Sequence, residues 1–524
     1  MAFTSLKFAL FVAIVILVYF IFPNKKYQWT VLLVASYVFY FFASIKLAVF
    51  MVFTTLTTWY AGVIMGRNTS LMKATVKEHK EDWSKEEKKA YKASINNKNK
   101  LFVALTLIMN FGVLFCLKYC NFMSIALPLG ISFYTFQAMG YIVDVYRGDV
   151  EPEQNAARFA LFVSFFPQLV QGPISPYSQL AHQLYEPHKP EYKRFKFGLE
   201  LILWGIVKKF IIADRAYNII VEIQDAAASQ DCFDGTIATM IVILYAIQLY
   251  ADFSAGIDIA RGVAQILGID MIQNFRQPYF SISLTDYWNR WHISLGAWMR
   301  TYIFYPLALS KAASNITSNI KSSKFGQSKA GQHIGNVLPG ALASLIVFLV
   351  VGIWHGSEWK YIWFGLWNGL VIMIAILIKP IMDWLNVKLH IKVDSFAHRL
   401  FRIFRTLILV CIGYVFDVAE TGAIAFNWLG QIFTNQHLGA GARFVMSLHG
   451  STILNGFFIF CSVILLLVVG ILREKQPNVP LRERINKKST LFQWVLLFVT
   501  IMAVIILGVY GPGFNPQEFM YMQF

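Results

Sequence analysis

Apolar residues fall along this chain in runs of about 18 to 22, each long enough to cross a bilayer core about 30 Å thick. Candidate spans are 5–23, 28–44, 46–65, 101–118, 127–143, 158–172, 197–213, 236–252, 338–355, 359–378, 403–417, 453–472 and 491–510. The polar stripe that a surface helix of a water-soluble protein shows is missing from segment after segment. In lipid a helix satisfies its own backbone hydrogen bonds, so the pattern predicts an all-α integral membrane protein, multi-pass, with one domain over residues 1–524. The run 5–22 has the length of a signal peptide's core or more, lacks a small-residue cleavage site, and is followed at once by further spans. It is read as the first helix.

Two of these runs are punctuated. Residues 127–143 and 158–172 carry Pro128, Gly130, Gln137, Pro167, Gln168, Gln171, Gly172 and Pro173. Irregular backbone at membrane depth is tolerated only where protein or a water-filled cavity covers it, so these are the expected re-entrant segments. No internal repeat and no low-complexity tract is visible.

Charge changes the picture only as topology. The chain has 46 Lys and Arg against 29 Asp and Glu, a net +17, while 57% of residues are hydrophobic and 14% charged. That excess would raise nucleic acid in a soluble protein, but here it lies in short connections between spans, as cytoplasmic loops are marked, and no nucleic-acid module is present. The charged insert 66–100 is therefore expected inside the cell, either as a solvated loop or with 73–100 as an amphipathic helix on the membrane surface. Lys25 and Lys26, and the basic stretches Lys311 to Lys329, Lys379 to Arg405 and Arg473 to Lys488, fall on the same side, and the nearly uncharged 418–450 is expected as an extracytoplasmic loop. This orientation places both termini outside the cell membrane, and an even number of crossings then leaves at least one candidate that does not cross.

Candidate chemistry gathers late in the chain. Between 245 and 305 stand Asp252, Asp258, Arg261, Asp270, Arg276, Asp286, Arg290, His292 and Arg300. Buried charges of both signs pair or line a wet cavity, and either reading fits these residues. His292 lies in Tyr287-Trp288-Asn289-Arg290-Trp291-His292-Ile293-Ser294-Leu295, and His355 ends a long apolar run at Gly352-Ile353-Trp354-His355-Gly356. An ionisable side chain at membrane depth is expensive to bury, and an apolar setting favours the neutral imidazole that a general base needs. Asn289, Trp354 and Arg300, which flank the histidines in sequence, are the candidate substrate-binding residues. The five cysteines, Cys116, Cys120, Cys232, Cys411 and Cys461, show neither metal-ligand nor disulfide spacing, and no metal site is expected.

The stretches Pro128-Leu129-Gly130-Ile131-Ser132-Phe133-Tyr134-Thr135-Phe136-Gln137, Phe166-Pro167-Gln168-Leu169-Val170-Gln171-Gly172-Pro173-Ile174, Arg290-Trp291-His292-Ile293-Ser294-Leu295 and Trp354-His355-Gly356, with the closing Phe519-Met520-Tyr521-Met522-Gln523-Phe524, resemble the membrane-bound O-acyltransferase (MBOAT) family and its alginate O-acetyltransferase-like branch. The resemblance implies a helical ring with re-entrant segments and a central tunnel. It further implies acetyl-CoA as the cytosolic donor with no other cofactor, an exported cell-surface polysaccharide as acceptor, and a separate extracytoplasmic partner protein that completes the transfer. His355 matches the family's presumed catalytic base and His292 a second active-site histidine. The chain departs from the branch at Ala255-Gly256-Ile257, where a tyrosine and a serine are usual, at Thr301, where an aspartate is usual, and at Asn368, where a histidine often stands. Transfer of D-alanine to teichoic acid, transfer of a longer acyl chain, and transport without chemistry are the other readings.

Overall fold

The computed structural model describes residues 3–120, 127–230, 232–448 and 450–510. The described residues form helices joined by turns and irregular segments, with no strand among them. Seven helices among them are long and apolar enough to cross a membrane, fewer than the sequence runs suggest. At two sites the difference has a plain local cause. Trp29–Phe41 has only 13 residues, about 20 Å at 1.5 Å per residue, and 197–213 divides into a helix, Tyr192–Ile206, and a π-helical stretch, Val207–Ala213.

Contacts divide the chain into two compact units, Met1–Ile202 with Gly256–Ile272, and Leu203–Ala255 with Gln273–Phe524. In the first, Ala48–Glu78 and Lys85–Tyr119 run about 45 and 50 Å, longer than the hydrocarbon core, so the charged insert 66–100 is built mostly from their ends. Ser84 starts the second of these helices: its Oγ accepts from the Glu87 N–H at 3.1 Å while Glu87 Oε2 accepts from the Ser84 N–H at 2.8 Å. Buried amides pin the pair, with Asn110 donating to Thr57 Oγ1 at 3.2 Å and Asn68 to Asn99 Oδ1 at 2.9 Å.

The two punctuated runs meet in this same unit. Helix Ile131–Arg147 starts at Gly130, whose φ of 68° and close approach to the Leu169 carbonyl leave no room for a side chain. Helix Ala156–Ser164 breaks at Phe165, resumes for one turn over Phe166–Leu169, and gives way to irregular backbone up to Pro176. Gln137 donates to the Ser175 carbonyl across the contact at 3.3 Å.

In the second unit, helices Lys329–His355 and Trp359–Leu377 form an antiparallel pair. Glycines set their separation: a Cβ on Gly352 would lie 2.3 Å from the Tyr361 carbonyl oxygen, and one on Gly365 2.4 Å from that of Phe348. The first helix ends at His355 because Gly356 turns extended and the Tyr361 ring occupies the space its side chain would take. The stretch 418–450, expected as a loop, carries helices Gly422–Thr434 and Leu438–Ser447. The closing motif 519–524 lies outside the described residues.

Candidate active site

The site is built in the second unit from two short helices and one helix end. Helix Leu284–Arg290 begins at Ser283, whose hydroxyl accepts from the Asp286 N–H at 3.0 Å, and ends as the chain turns extended at Trp291. His292 follows with φ 45°, a left-handed conformation that costs a non-glycine residue of order 1 kcal/mol or more, and helix Ile293–Met299 starts beyond it. The first N–H groups of that helix would be orphans. Asn274 supplies their acceptors: its backbone carbonyl takes Ile293 N–H at 3.0 Å and its Oδ1 takes Ser294 N–H at 2.9 Å. The Asn274 Nδ2 then stands 3.3 Å from His292 Nδ1.

Both histidines are buried, His292 at 2% exposure and His355 at 7%, with Asn274 at 0%. Trp354 packs against both imidazoles, its ring centroid 6.2 Å from His292 and 4.9 Å from His355. Phe253 meets His292 edge-on at 4.9 Å, and Tyr361 and Phe364 pack on His355 at 6.0 and 5.5 Å. His292 lies outside the seven candidate spans. Burial first, and then the neighbouring His355, pull its pKa down from the ordinary histidine value to about 3, so the ring is uncharged.

A wall of phenols and indoles extends from this pair. Tyr287 and Tyr414 share a hydrogen bond of 2.5 Å between hydroxyls, and Trp291 stacks on Tyr287 at 5.6 Å. Trp288 donates its indole N–H to Asn368 Oδ1 at 3.0 Å, and Asn368 donates to the Phe364 carbonyl at 2.9 Å. The residue that departs from the branch pattern therefore fixes an aromatic side chain at the site's edge.

Of the residues expected to bind substrate, Trp354 joins the two histidines. Asn289 and Arg300 are exposed and hydrogen-bonded to each other at 2.5 Å. Of the charges between 245 and 305, Asp252, Asp258, Arg261, Asp270, Asp286 and Arg290 enter ion pairs, and Asp252, Asp270 and Arg290 reach partners far along the chain. Lys209 bridges Asp252 at 2.7 Å and Asp214 at 2.9 Å, all nearly inaccessible. Arg290 holds Asp286 at 2.8 Å and Glu474 at 2.6 Å, anchoring the His292 segment to helix Gly450–Lys475. In the first unit Asp258 pairs with Arg261 at 3.5 Å and Asp270 with Arg194 at 2.9 Å. Sequence reasoning missed Asn274 and Lys209. The available signal at Lys209 was the Lys208-Lys209 pair inside an apolar run, and Asn274, between Gln273 and Phe275, carried none.

Taken together, these features define an α-helical, multi-pass membrane protein with a buried two-histidine site. Residues 153–319 match the model of the membrane-bound O-acyltransferase family, a span that includes Asn274 and His292 and stops short of His355. The chain is 31% identical to the probable alginate O-acetylase AlgI of Azotobacter vinelandii over 318 residues, 59% of this chain and 54% of that protein, so about half of that relative's length is matched. The corresponding protein of Pseudomonas aeruginosa is 28% identical over 463 residues, 83% of this chain and 75% of its own length. The peptidoglycan O-acetyltransferase of Helicobacter pylori is 28% identical over 327 residues, 55% of this chain and 57% of its own. The chain is thus similar, over residues 153–319, to the membrane-bound O-acyltransferase family, and the relatives it matches are named for O-acetylation of alginate or of peptidoglycan.

Proposed function

We propose that the protein is an O-acetyltransferase that moves an acetyl group from cytosolic acetyl-CoA toward an exported cell-surface polysaccharide. The observation that carries this reading is the pair of buried imidazoles that both contact Trp354, one at a helix end and one on a strained turn. His355 acts as the general base that takes the proton of the attacking hydroxyl, and His292 assists it. A thioester is already activated, so positioning and proton removal are the main tasks left to the protein. A tunnel through locally thin protein lets donor and acceptor reach His355 from opposite sides of the membrane.

Teichoic acid D-alanyltransferases share 27 to 29% identity over 47% of this chain, which makes D-alanyl transfer the competing reading. Purified protein in detergent or nanodiscs is expected to consume radiolabelled acetyl-CoA and to ignore a D-alanyl carrier protein. Turnover of the D-alanyl thioester alone would replace the acetyl reading with the competing one.

The resemblance also supports a separate extracytoplasmic protein that completes transfer to the sugar. The segment 418–450 is the docking surface in this reading, and its helices expose Phe426, Phe433, Leu438 and Met446. Affinity-tagged protein is expected to co-purify with a secreted esterase-like protein, and a variant lacking 422–447 to lose it. Undiminished recovery by a deletion variant that retains normal melting would remove this surface from the proposal.

A further inference from the structure

Arg158 stands in the first turn of helix Ala156–Ser164, and its guanidinium packs on two aromatic rings of its own unit, 5.7 Å from that of Trp29 and 5.4 Å from that of Tyr185. The Tyr185 hydroxyl also donates to the Arg158 carbonyl at 2.8 Å, tying that ring to the backbone that carries the cation. The charge has no carboxylate. Glu153, the closest acid before it in sequence, is occupied: its Oε1 accepts from the Asn155 N–H at 2.8 Å and its Oε2 from the Tyr177 hydroxyl at 2.9 Å. Among the described residues the Arg158 side chain makes no hydrogen bond and no ion pair, and its Nε is buried without an acceptor, as is the indole N–H of Trp29. The side chain as a whole is only half-buried, so an anion from outside can reach the terminal nitrogens. Stacking holds the planar fork in place beforehand, and less conformational freedom is lost when two oxygens of one anion bind it.

We propose that Arg158, packed on Trp29 and Tyr185, is the phosphate clamp of a bound anionic phospholipid. The surroundings point to a lipid as the source of the phosphate. Trp29 opens helix Trp29–Phe41, and Gln28 just before it is locked to His188 by two hydrogen bonds, its Nε2 donating to the His188 carbonyl at 3.2 Å and its Oε1 accepting from the His188 N–H at 2.8 Å. That lock brings Lys189 to the same end of the unit as Lys25 and Lys26. In the orientation expected from the basic loops this end is cytoplasmic, where the leaflet carries anionic lipid, and a tryptophan and a tyrosine there stand at headgroup level. Further along the same helix Val34, Val38 and Phe41 are exposed apolar side chains, a surface for lipid chains. Two N–H groups of the fork take two phosphate oxygens in parallel, and Lys26 and Lys189 add a weaker attraction that salt screens. The proposal is independent of the acyl-transfer reading.

The test is native mass spectrometry of the full-length protein, released from detergent after equilibration with phosphatidylglycerol or with phosphatidylcholine of the same chains. The wild type is expected to retain phosphatidylglycerol in preference. Arg158→Gln keeps much of the side chain's length without the charge, and it is expected to bind that lipid about fivefold more weakly, the effect of one cation at a membrane surface. A wild type that holds the two lipids equally would overturn the proposal, and that comparison decides the matter even where Arg158→Gln does not fold. A folded Arg158→Gln with the full preference for phosphatidylglycerol would overturn it equally. Glycerol 3-phosphate, which carries a phosphate without chains, separates a lipid from a soluble source. Displacement of phosphatidylglycerol by an equal concentration of it would give the site to a soluble phosphate and reject the lipid, whereas retention of the lipid supports the assignment.

Discussion

His355→Ala is expected to lower acetyl-CoA turnover by a factor of about 10² to 10⁴, the contribution of a positioned general base. The residue is suited to that loss because it stands at the last position of a long apolar helix, buried between Trp354, Tyr361 and Phe364. Truncation also leaves a small void beside the Tyr361 ring, so His355→Gln, which fills the space without a basic nitrogen, serves as the volume control. Both variants should melt as the wild type does and both should be slow. Unaltered turnover in both removes His355 from the chemistry.

Lys209→Met should have the largest effect on stability, a loss of about 3 to 5 kcal/mol, because it removes the cation from between two buried carboxylates. Lys209 reaches Asp252 at 2.7 Å and Asp214 at 2.9 Å from within a π-helical stretch, and each side chain is only 3 to 4% accessible. Left alone, the two aspartates must be protonated or hydrated, either of which disturbs the packing. Combining Lys209→Met with Asp252→Asn is expected to recover part of the loss, since residues of one ion network do not add independently. Thermal unfolding of the purified variants measures both. Asp252 precedes Phe253, whose ring packs on His292, so destabilisation here should loosen the site as well. A Lys209→Met protein that melts like the wild type would show that the triad contributes little.

Much of the helical framework was legible because an unbroken apolar run in lipid has one backbone solution. The runs 338–355, 359–378, 453–472 and 491–510 became Lys329–His355, Trp359–Leu377, Gly450–Lys475 and Thr490–Leu507. Of the two punctuated runs, 158–172 was legible as irregular through Pro167, Gly172 and Pro173, whereas 127–143 is a regular helix beyond Gly130, and the way they pack on each other was not legible. Where the hydrophobic pattern failed was in short or mixed stretches such as 28–44 and 197–213, because hydropathy reads composition and does not measure where a helix begins, breaks or changes pitch.

The sequence by itself determined that this is a membrane protein of helices, that two histidines sit in apolar, tryptophan-rich surroundings, and that its motifs resemble those of an acyltransferase family. Only the tertiary structure decided who faces whom. It set Trp354 against both imidazoles, sent Asn289 and Arg300 to each other, matched Lys209 with an aspartate 43 positions away and Arg290 with a glutamate 184 away, and put Asn274 on the His292 ring. The reason is physical. Burial of an apolar face depends on the spacing of neighbours along one chain segment, whereas a buried polar group must be satisfied by whichever complementary group the folded chain brings within about 3 Å, and many residues of the right type compete for that place in the linear order.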